Sequence, residues 1–469
     1  MDVTARPGRW GTEAQGTRCR EGETGHNAFL EGPMGDTQRS LTISTKLQRI
    51  ANQAVRNPDM VFNNLSHLID FEFLLEAYYR TRKNGAPGVD KVTAKEYSEK
   101  LMDNLLDLHA RLKSNRYKAP PVERVWIDKE GGKKRPIGKP AFEDKIVQKA
   151  CVMLLSSIYN HDFYDFSHGF REGHSQHQAL QEIRQKCLNL NINWILDADV
   201  SGFFDNIDHR LLREFLGKRV NDGGVKRLIG KWLNAGVVDQ GIWSRSEKGT
   251  PQGGVVSPLL ANIFLHYVLD EWFVKDVQPR MRGRCFIVRY ADDFIIGFEL
   301  EQDAHRVMEV LPKRFARFGL SIHPDKTKLE RFGRPRKEGD SKLNKTFDFL
   351  GFTHYWSRSL RGNWIIKRKT IGKRLRRFIK SMWQWCRVNR HLPVKEQHWK
   401  LCDILRGYYQ YYAVIHNSRA LGAVRYHVNR AWQFWLSRRC AAGKVRWDQF
   451  EKLTTLHFPL PRHRIIHRI

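Results

Sequence analysis

Between Phe286 and Phe298, two runs of β-branched and aromatic residues meet at a pair of adjacent carboxylates: Phe286-Ile-Val-Arg-Tyr290-Ala291-Asp292-Asp293-Phe294-Ile-Ile-Gly-Phe298. Apolar runs flanking a short polar tip predict a β-hairpin with the acids at or beside its turn. Two unpaired carboxylates side by side repel each other and weaken a plain hairpin. A divalent cation removes that penalty, and hard oxygen donors suit Mg²⁺ or Mn²⁺. The plain alternative is a solvated turn that happens to be acidic, and the rest of the chain has to decide between the two.

A second acidic site lies upstream. Trp194-Ile-Leu-Asp197-Ala-Asp199-Val200 reads as a strand, and its alternation puts Asp197 and Asp199 on one face. Acids are disfavoured in buried strands unless something pairs with them. In-line displacement at phosphorus uses two divalent ions about 4 Å apart, one activating a hydroxyl and one neutralising the leaving group. Carboxylates from two neighbouring strands can bridge such a pair. Asp199 and Asp292 are the expected bridging ligands, with Asp293 in support and Asp197 the weaker choice on its strand. Phe204, five residues after Asp199, is placed to wall a sugar pocket and exclude a 2′-hydroxyl; otherwise it is a core aromatic.

Charge supplies the partner class. The 469 residues carry 81 Lys and Arg against 50 Asp and Glu, a formal +31. Such an excess implies a polyanion, most often nucleic acid. No run of about 18 apolar residues and no signal-peptide core is present, which argues against a membrane and for a cytoplasmic protein. The seven cysteines are scattered without a Cys-x-x-Cys pair, excluding a disulfide framework and a cysteine zinc site and predicting buried thiols.

Along the chain, residues 1–40 lack an apolar period and read as a disordered leader. Residues 41–115 read as helical, with Thr93 and Glu96 forming a capping box for a helix running to about Ser114. Val122 to Ile137 predicts two strands around a turn at Asp128-Lys-Glu-Gly-Gly132. The returning strand carries Lys134 and Arg135, either a solvated face or a triphosphate clamp. Gly249-Thr-Pro-Gln252-Gly253-Gly254 is a tight loop before an apolar helix from Pro258 to about Trp272. Its exposed N–H groups suit a phosphate or a base, though it also reads as a simple turn into a core helix. Residues 361–469 are the most basic, with 25 Lys and Arg against 4 Asp and Glu. There Leu375, Phe378, Ile379, Met382 and Trp385 form a helical stripe. Arg374, Arg376, Arg377 and Lys380 lie largely off it, as a nucleic-acid-facing surface would require.

Tyr290-Ala-Asp-Asp293 with its apolar flanks resembles the catalytic box of reverse transcriptases. The wider series narrows the resemblance to the group II intron reverse transcriptase/maturase family. It comprises Gly85-Ala-Pro-Gly-Val-Asp90, Arg135-Pro-Ile-Gly138, Gly169-Phe-Arg-Glu-Gly173, the stretch Asp199-Val-Ser-Gly-Phe-Phe-Asp-Asn-Ile-Asp-His209, Thr250-Pro-Gln-Gly-Gly-Val-Val-Ser-Pro-Leu259, Gly319-Leu-Ser-Ile with Lys326, and Phe349-Leu-Gly-Phe352. The segments run in the family's order over about residues 44–356. Leu405-Arg-Gly-Tyr-Tyr409 adds a likeness to the family's thumb/maturase domain. The resemblance implies an α+β right-hand polymerase: start of fingers within 41–115, fingers and palm 116–356, and a basic helical thumb 361–469. It implies RNA-directed DNA synthesis with two Mg²⁺ ions, and dNTPs, a DNA target or primer, and intron RNA as partners. By position, Asp199, Asp292, Asp293 and the Val200 backbone are implied metal ligands, and Gln252 and Gly253 lie against the nucleotide or primer. Lys134, Arg135 and, more weakly, Lys326 are implied nucleotide contacts; Arg374, Arg376, Arg377 and Lys380 are expected on the RNA side. Lys139 departs from the family's usual apolar residue, and no zinc-bearing endonuclease motif follows the thumb. A defence-associated or CRISPR-associated reverse transcriptase, or a non-catalytic splicing cofactor, is the competing reading.

Overall fold

The hairpin forms as expected: its strands pair antiparallel with Tyr290 opposite Asp293, and Ala291 and Asp292 make the turn. A computed structural model describes residues 33–128, 134–244, 248–250, 253–336, 344–439 and 444–469, without the side chains of 33–36 and 128.

In chain order the first helices are α1 (Pro33–Arg56), α2 (Phe71–Arg80), α3 (Ala94–Glu99) and α4 (Leu101–Lys113). Helix α1 starts inside the stretch expected to be a disordered leader: residues 33–40 are helical, because Ile43, Ile50 and Ala54 bury one stripe of the same helix. Residues 1–32 lie outside the described part. The Thr93–Glu96 capping box is present. The single helix expected from there to Ser114 breaks at Lys100, whose φ of −127° and ψ of 44° are not helical. Strands β1 (Val122–Asp128) and β2 (Lys134–Lys139) pair antiparallel; the tip of their turn, 129–133, is outside the described residues. The long helix α5 (Phe142–Asp162) runs through the core, burying Ile146, Val147, Ala150, Leu154 and Leu155. Ser175 caps α6 (Gln176–Asn189) by accepting from Gln178 N.

Strand β3 (Trp194–Ala198) stops one residue before Asp199, and β4 (Val200–Ser201) belongs to a different sheet. Helices α7 (Phe203–Asn206), α8 (His209–Gly217) and α9 (Gly223–Asn234) follow, then β5 (Val237–Asp239) and β6 (Ile242–Ser244). The apolar helix expected to run from Pro258 to Trp272 is α10 (Ser257–Leu265), continued by π turns at His266–Asp270 and Phe273–Val277. The hairpin strands are β7 (Cys285–Tyr290) and β8 (Asp293–Phe298), followed by α11 (Glu301–Ala316), β9 (Ser321–Ile322) and β10 (Lys328–Arg331). The segment around Gly351 is a hairpin of β11 (Phe347–Phe349) and β12 (Phe352–Arg358), with β13 (Trp364–Thr370) beside it. Helices α12 (Gly372–Val388), α13 (Val394–Tyr412), α14 (Ser418–Leu436) and α15 (Trp447–Lys452) complete the chain.

The central sheet has the order β10-β3-β8-β7, and every pair in it is antiparallel. A second sheet, β2-β1-β5-β6, forms the outer lobe. One core packs α5, α10 and α11 on one face of the central sheet. Another fills the opposite face with α6, β12 and β13. The C-terminal helices make a third core from Leu401, Leu405, Leu421, Val428 and Trp432. The architecture is α+β, with the helical C-terminal bundle following the β11-β12-β13 sheet. The described cysteines, Cys151, Cys187, Cys285, Cys386 and Cys402, are free and buried. No described helix is long and apolar enough to cross a membrane.

Candidate active site

The antiparallel register of β3 and β8 brings the two acidic sites together. Ala198 pairs with Phe294, so the next residue on one strand is Asp199 and the preceding residue on the other is Asp293. The break after Ala198 turns the Asp199 carbonyl to accept from His323 N at 2.8 Å, and Val200 pairs with Ile322. Asp292 occupies the adjacent turn. Asp197, two residues earlier, pairs with Ile295 on one side and Lys328 on the other.

These acids act on one another. Loss of hydration pushes the Asp293 carboxyl up to about 6, and the charges of Asp292 and Asp199 add to that; Arg374 and Lys326 oppose it. Asp293 keeps solvent access on one side, so it is enclosed without being sealed. Burial likewise pushes Asp197 up to about 7, with Asp293, Asp199 and Asp348 adding and Lys328 opposing. One cation already faces the group: Lys326, in the turn between β9 and β10, forms an ion pair with Asp199. The donor set is chemically suited to a hard divalent ion. Among the described residues no three His, Cys, Asp or Glu side chains are arranged as a ready metal cage.

The remaining predicted residues fall into place unevenly. Phe204 lies half-buried on α7, edge-on to Phe203 with ring centroids 5.4 Å apart. The glycine-rich loop is tied to the same helix, because Thr250 N donates to Phe204 O and Gly249 N to Ile207 O, both at 2.8 Å. Its far end reaches β2. Gly253 has φ +111°, and a Cβ there would come within 2.3 Å of Gly138 O, so only glycine allows this approach. Gln252 lies outside the described residues. Lys134 and Arg135 stand exposed on β2, toward the hairpin tip, with no described hydrogen bond to the acids. Lys139 pairs with Glu123 at 3.1 Å, a structural role. Arg374, Arg376, Arg377 and Lys380 are all exposed on α12. Arg374 separates from the other three: it reaches over Gly351 and is close enough to Asp293 to act on its charge. Gly351 thus makes room for the Arg374 and Tyr412 side chains.

Sequence reasoning missed what lies beneath the hairpin. Arg289 is fully buried and forks onto Asp270, with Nε to Oδ1 at 2.8 Å and Nη2 to Oδ2 at 2.5 Å. An arginine inside an apolar strand and an aspartate inside an apolar helix were the available signals, since neither survives burial alone.

Comparison with known proteins agrees with this geometry. Residues 127–354 match the family model described as reverse transcriptase (RNA-dependent DNA polymerase). The chain is 31% identical to Protein YkfC of Escherichia coli over 382 residues, covering 73% of this chain and 96% of that protein. It is 37% identical to the group II intron-encoded protein LtrA of Lactococcus lactis over 324 residues, 68% of this chain and 52% of that one. A putative COX1/OXI3 intron 2 protein of Saccharomyces cerevisiae is 30% identical over 334 residues, 60% of this chain and 38% of that protein. The chain thus spans nearly all of the first relative and about half of the second. With the acids gathered at one end of an antiparallel palm sheet, the α+β right-hand fold around them and these matches, the chain belongs to the group II intron reverse transcriptase/maturase family.

Proposed function

We propose that the protein is an RNA-directed DNA polymerase encoded by a group II intron, and that it also binds intron RNA as a maturase. The reading rests most heavily on the meeting of Asp199, Asp292 and Asp293, which sequence separation alone gives no reason to expect. Mg²⁺ binds with few protein carboxylates and keeps waters and substrate phosphates as its other ligands, so an open group of acids suffices. Asp199 and Asp292, with Asp293 and the Val200 backbone beside them, would hold two such ions, whose chemistry there is to activate a 3′-hydroxyl and neutralise pyrophosphate.

The chain's own groups do the rest. Phe204 packs against the sugar of the incoming dNTP and excludes a 2′-hydroxyl. Gly249 and Thr250, tied to α7, and Gly253, packed against β2, flank Gln252 in sequence, and this glycine-rich segment serves the nucleotide or primer. Lys134 and Arg135 bind the triphosphate from the outer lobe. Lys326 offsets the Asp199 charge until a metal or nucleotide takes over that role. The basic α12 face tracks the RNA backbone.

Primer extension on poly(rA)/oligo(dT) tests the reading. The wild-type chain extends the primer in Mg²⁺, and Asp292→Ala is expected to lose on the order of 10³-fold or more. Extension by the variant at the wild-type rate would sink the assignment. Sequencing the RNA that co-purifies with the protein tests the maturase part: enrichment of the flanking intron supports it, and random cellular RNA contradicts it.

A further inference from the structure

We infer that Arg289 is a positioning residue for the adjacent carboxylates, acting from the opposite face of the sheet through the Ala291 turn; this rests on the polymerase reading above. By strand alternation Arg289 shares its face with Ile287, in the core around α10, whereas Val288 and Ile295 line the face that carries Asp197. Four of the five guanidinium N–H groups are committed. Beyond its two bonds to Asp270, Nη1 donates to Asn262 Oδ1 at 2.9 Å and to the Ala291 carbonyl at 3.0 Å.

Ala291 is the residue that needs holding. Its φ is +58°, a left-handed conformation that a side chain disfavours by about 1–2 kcal/mol. The two-residue turn requires it, and any relaxation would swing Asp292 and Asp293. The turn is gripped from both ends. Arg289 holds the Ala291 carbonyl. On the amide side Gly169 lies so close that a Cβ there would come within 2.2 Å of Ala291 N. Gly169 is itself fixed, because Asn262 Nδ2 donates to its carbonyl at 2.6 Å. Asn262 therefore joins both grips. The Arg289 backbone adds two further ties, donating to Phe166 O and accepting from His168 N, each at 2.9 Å. Lysine has one point charge in place of this planar fork and cannot make the same set of bonds.

A purely structural ion pair and a positioning device make different predictions. A buried pair can be replaced by apolar residues of similar volume at little cost in stability, but no apolar residue can hold the Ala291 carbonyl. The test is the double variant Arg289→Met/Asp270→Leu, with Asn262→Ala as a milder second variant that leaves the ion pair intact. In both, positioning predicts unchanged template–primer affinity and KM for dNTP. It predicts a fall in kcat, about 10²-fold in the double variant, as displacements of about 1 Å produce. Affinity for Mn²⁺ alone, followed by electron paramagnetic resonance on the variant without nucleotide, falls with it. A folded double variant with wild-type kcat and Mn²⁺ affinity would overturn the inference. Should the double variant fail to fold, Asn262→Ala decides by the same readouts. Asp292→Ala is assayed alongside: if it stays active, it is the polymerase reading that fails, whatever the Arg289 variants do.

Discussion

The palm holds carboxylates in two ways on opposite faces of one hairpin. Asp270 is fully buried and answered at once, by both arms of the Arg289 guanidinium. Asp197 is half-buried and Asp293 exposed, each beside further acids, and the charges that oppose them come from Lys328, Lys326 and Arg374. Asp144 belongs with the first kind, since Trp232 Nε1 and Gln148 Nε2 donate to it at 2.7 and 2.8 Å and the Tyr117 hydroxyl donates as well. A carboxylate kept for structure is satisfied within the protein, because an unpaired buried charge is costly. A carboxylate kept for chemistry is left with unmet charge that a ligand can satisfy. The two kinds differ in burial and in partners alike: Asp270 and Asp144 are sealed in and paired, whereas Asp197 is half-buried and Asp293 is open to solvent.

The sharpest way to break this contrast is to remove one acid of each kind. Asp292→Asn is expected to abolish extension while leaving thermal stability unchanged or slightly raised, since like-charge repulsion is relieved. Asp270→Ala strands the Arg289 guanidinium without a counter-charge and is expected to cost about 3–5 kcal/mol in unfolding free energy. Chemical denaturation of both variants reads the difference. Comparable destabilisation by the two would erase the distinction.

The pH dependence probes the acids of the second kind directly. Asp197 and Asp293 titrate at about 7 and about 6 in the folded protein, above the roughly 3.9 of an unfolded aspartate. Between those values the folded chain holds protons that the unfolded chain has released, so stability falls as pH rises. The cost grows from about pH 4 to about pH 7 and then levels off. In metal-free buffer Asp197→Asn should therefore raise the melting temperature most at pH 8, with the gain shrinking as pH falls. Adding Mg²⁺ at pH 8 should raise the wild-type melting temperature, and by less at pH 5. A gain that grows toward acid would mean that Asp197 is satisfied in the folded state.

The acids themselves were legible in the sequence because a hairpin tip and an alternating strand are local patterns. So were the capping box at Thr93 and the stripe on α12, both set by spacing within a few residues. What stayed hidden was non-local. Nothing near Arg289 announces that its partner is Asp270, 19 residues away on a π-widened helix. The end of β3 at Ala198 depends on β4 joining a different sheet, which strand propensity does not reveal. Lys139 reads as an odd cation in an apolar segment until Glu123 is found opposite it in the β1–β2 register. The helix at residues 33–40 was missed because its own turns carry little apolar signal; the anchoring residues come later in the same helix.

The smallest effects belong to α12, and they sharpen the contrast by adding a third kind of charge. Arg376 and Lys380 are exposed, and the contribution of such cations to binding a polyanion is counterion release, which is graded and additive. Each alanine substitution there is expected to weaken RNA binding about equally for all sequences. Each should reduce the slope of log affinity against log salt by about 1. Arg374, on the same helix, should behave otherwise. It reaches over Gly351 toward Asp293 and lowers that acid's pKa, so Arg374→Ala should shift the acid limb of the polymerisation pH profile upward while changing the salt slope of RNA binding little. Filter binding across a salt series, paired with pH–rate profiles, separates the two. If Arg374→Ala and Arg376→Ala gave the same salt slope and the same pH profile, α12 would be one uniform basic surface, and only the acids beneath it would be specific.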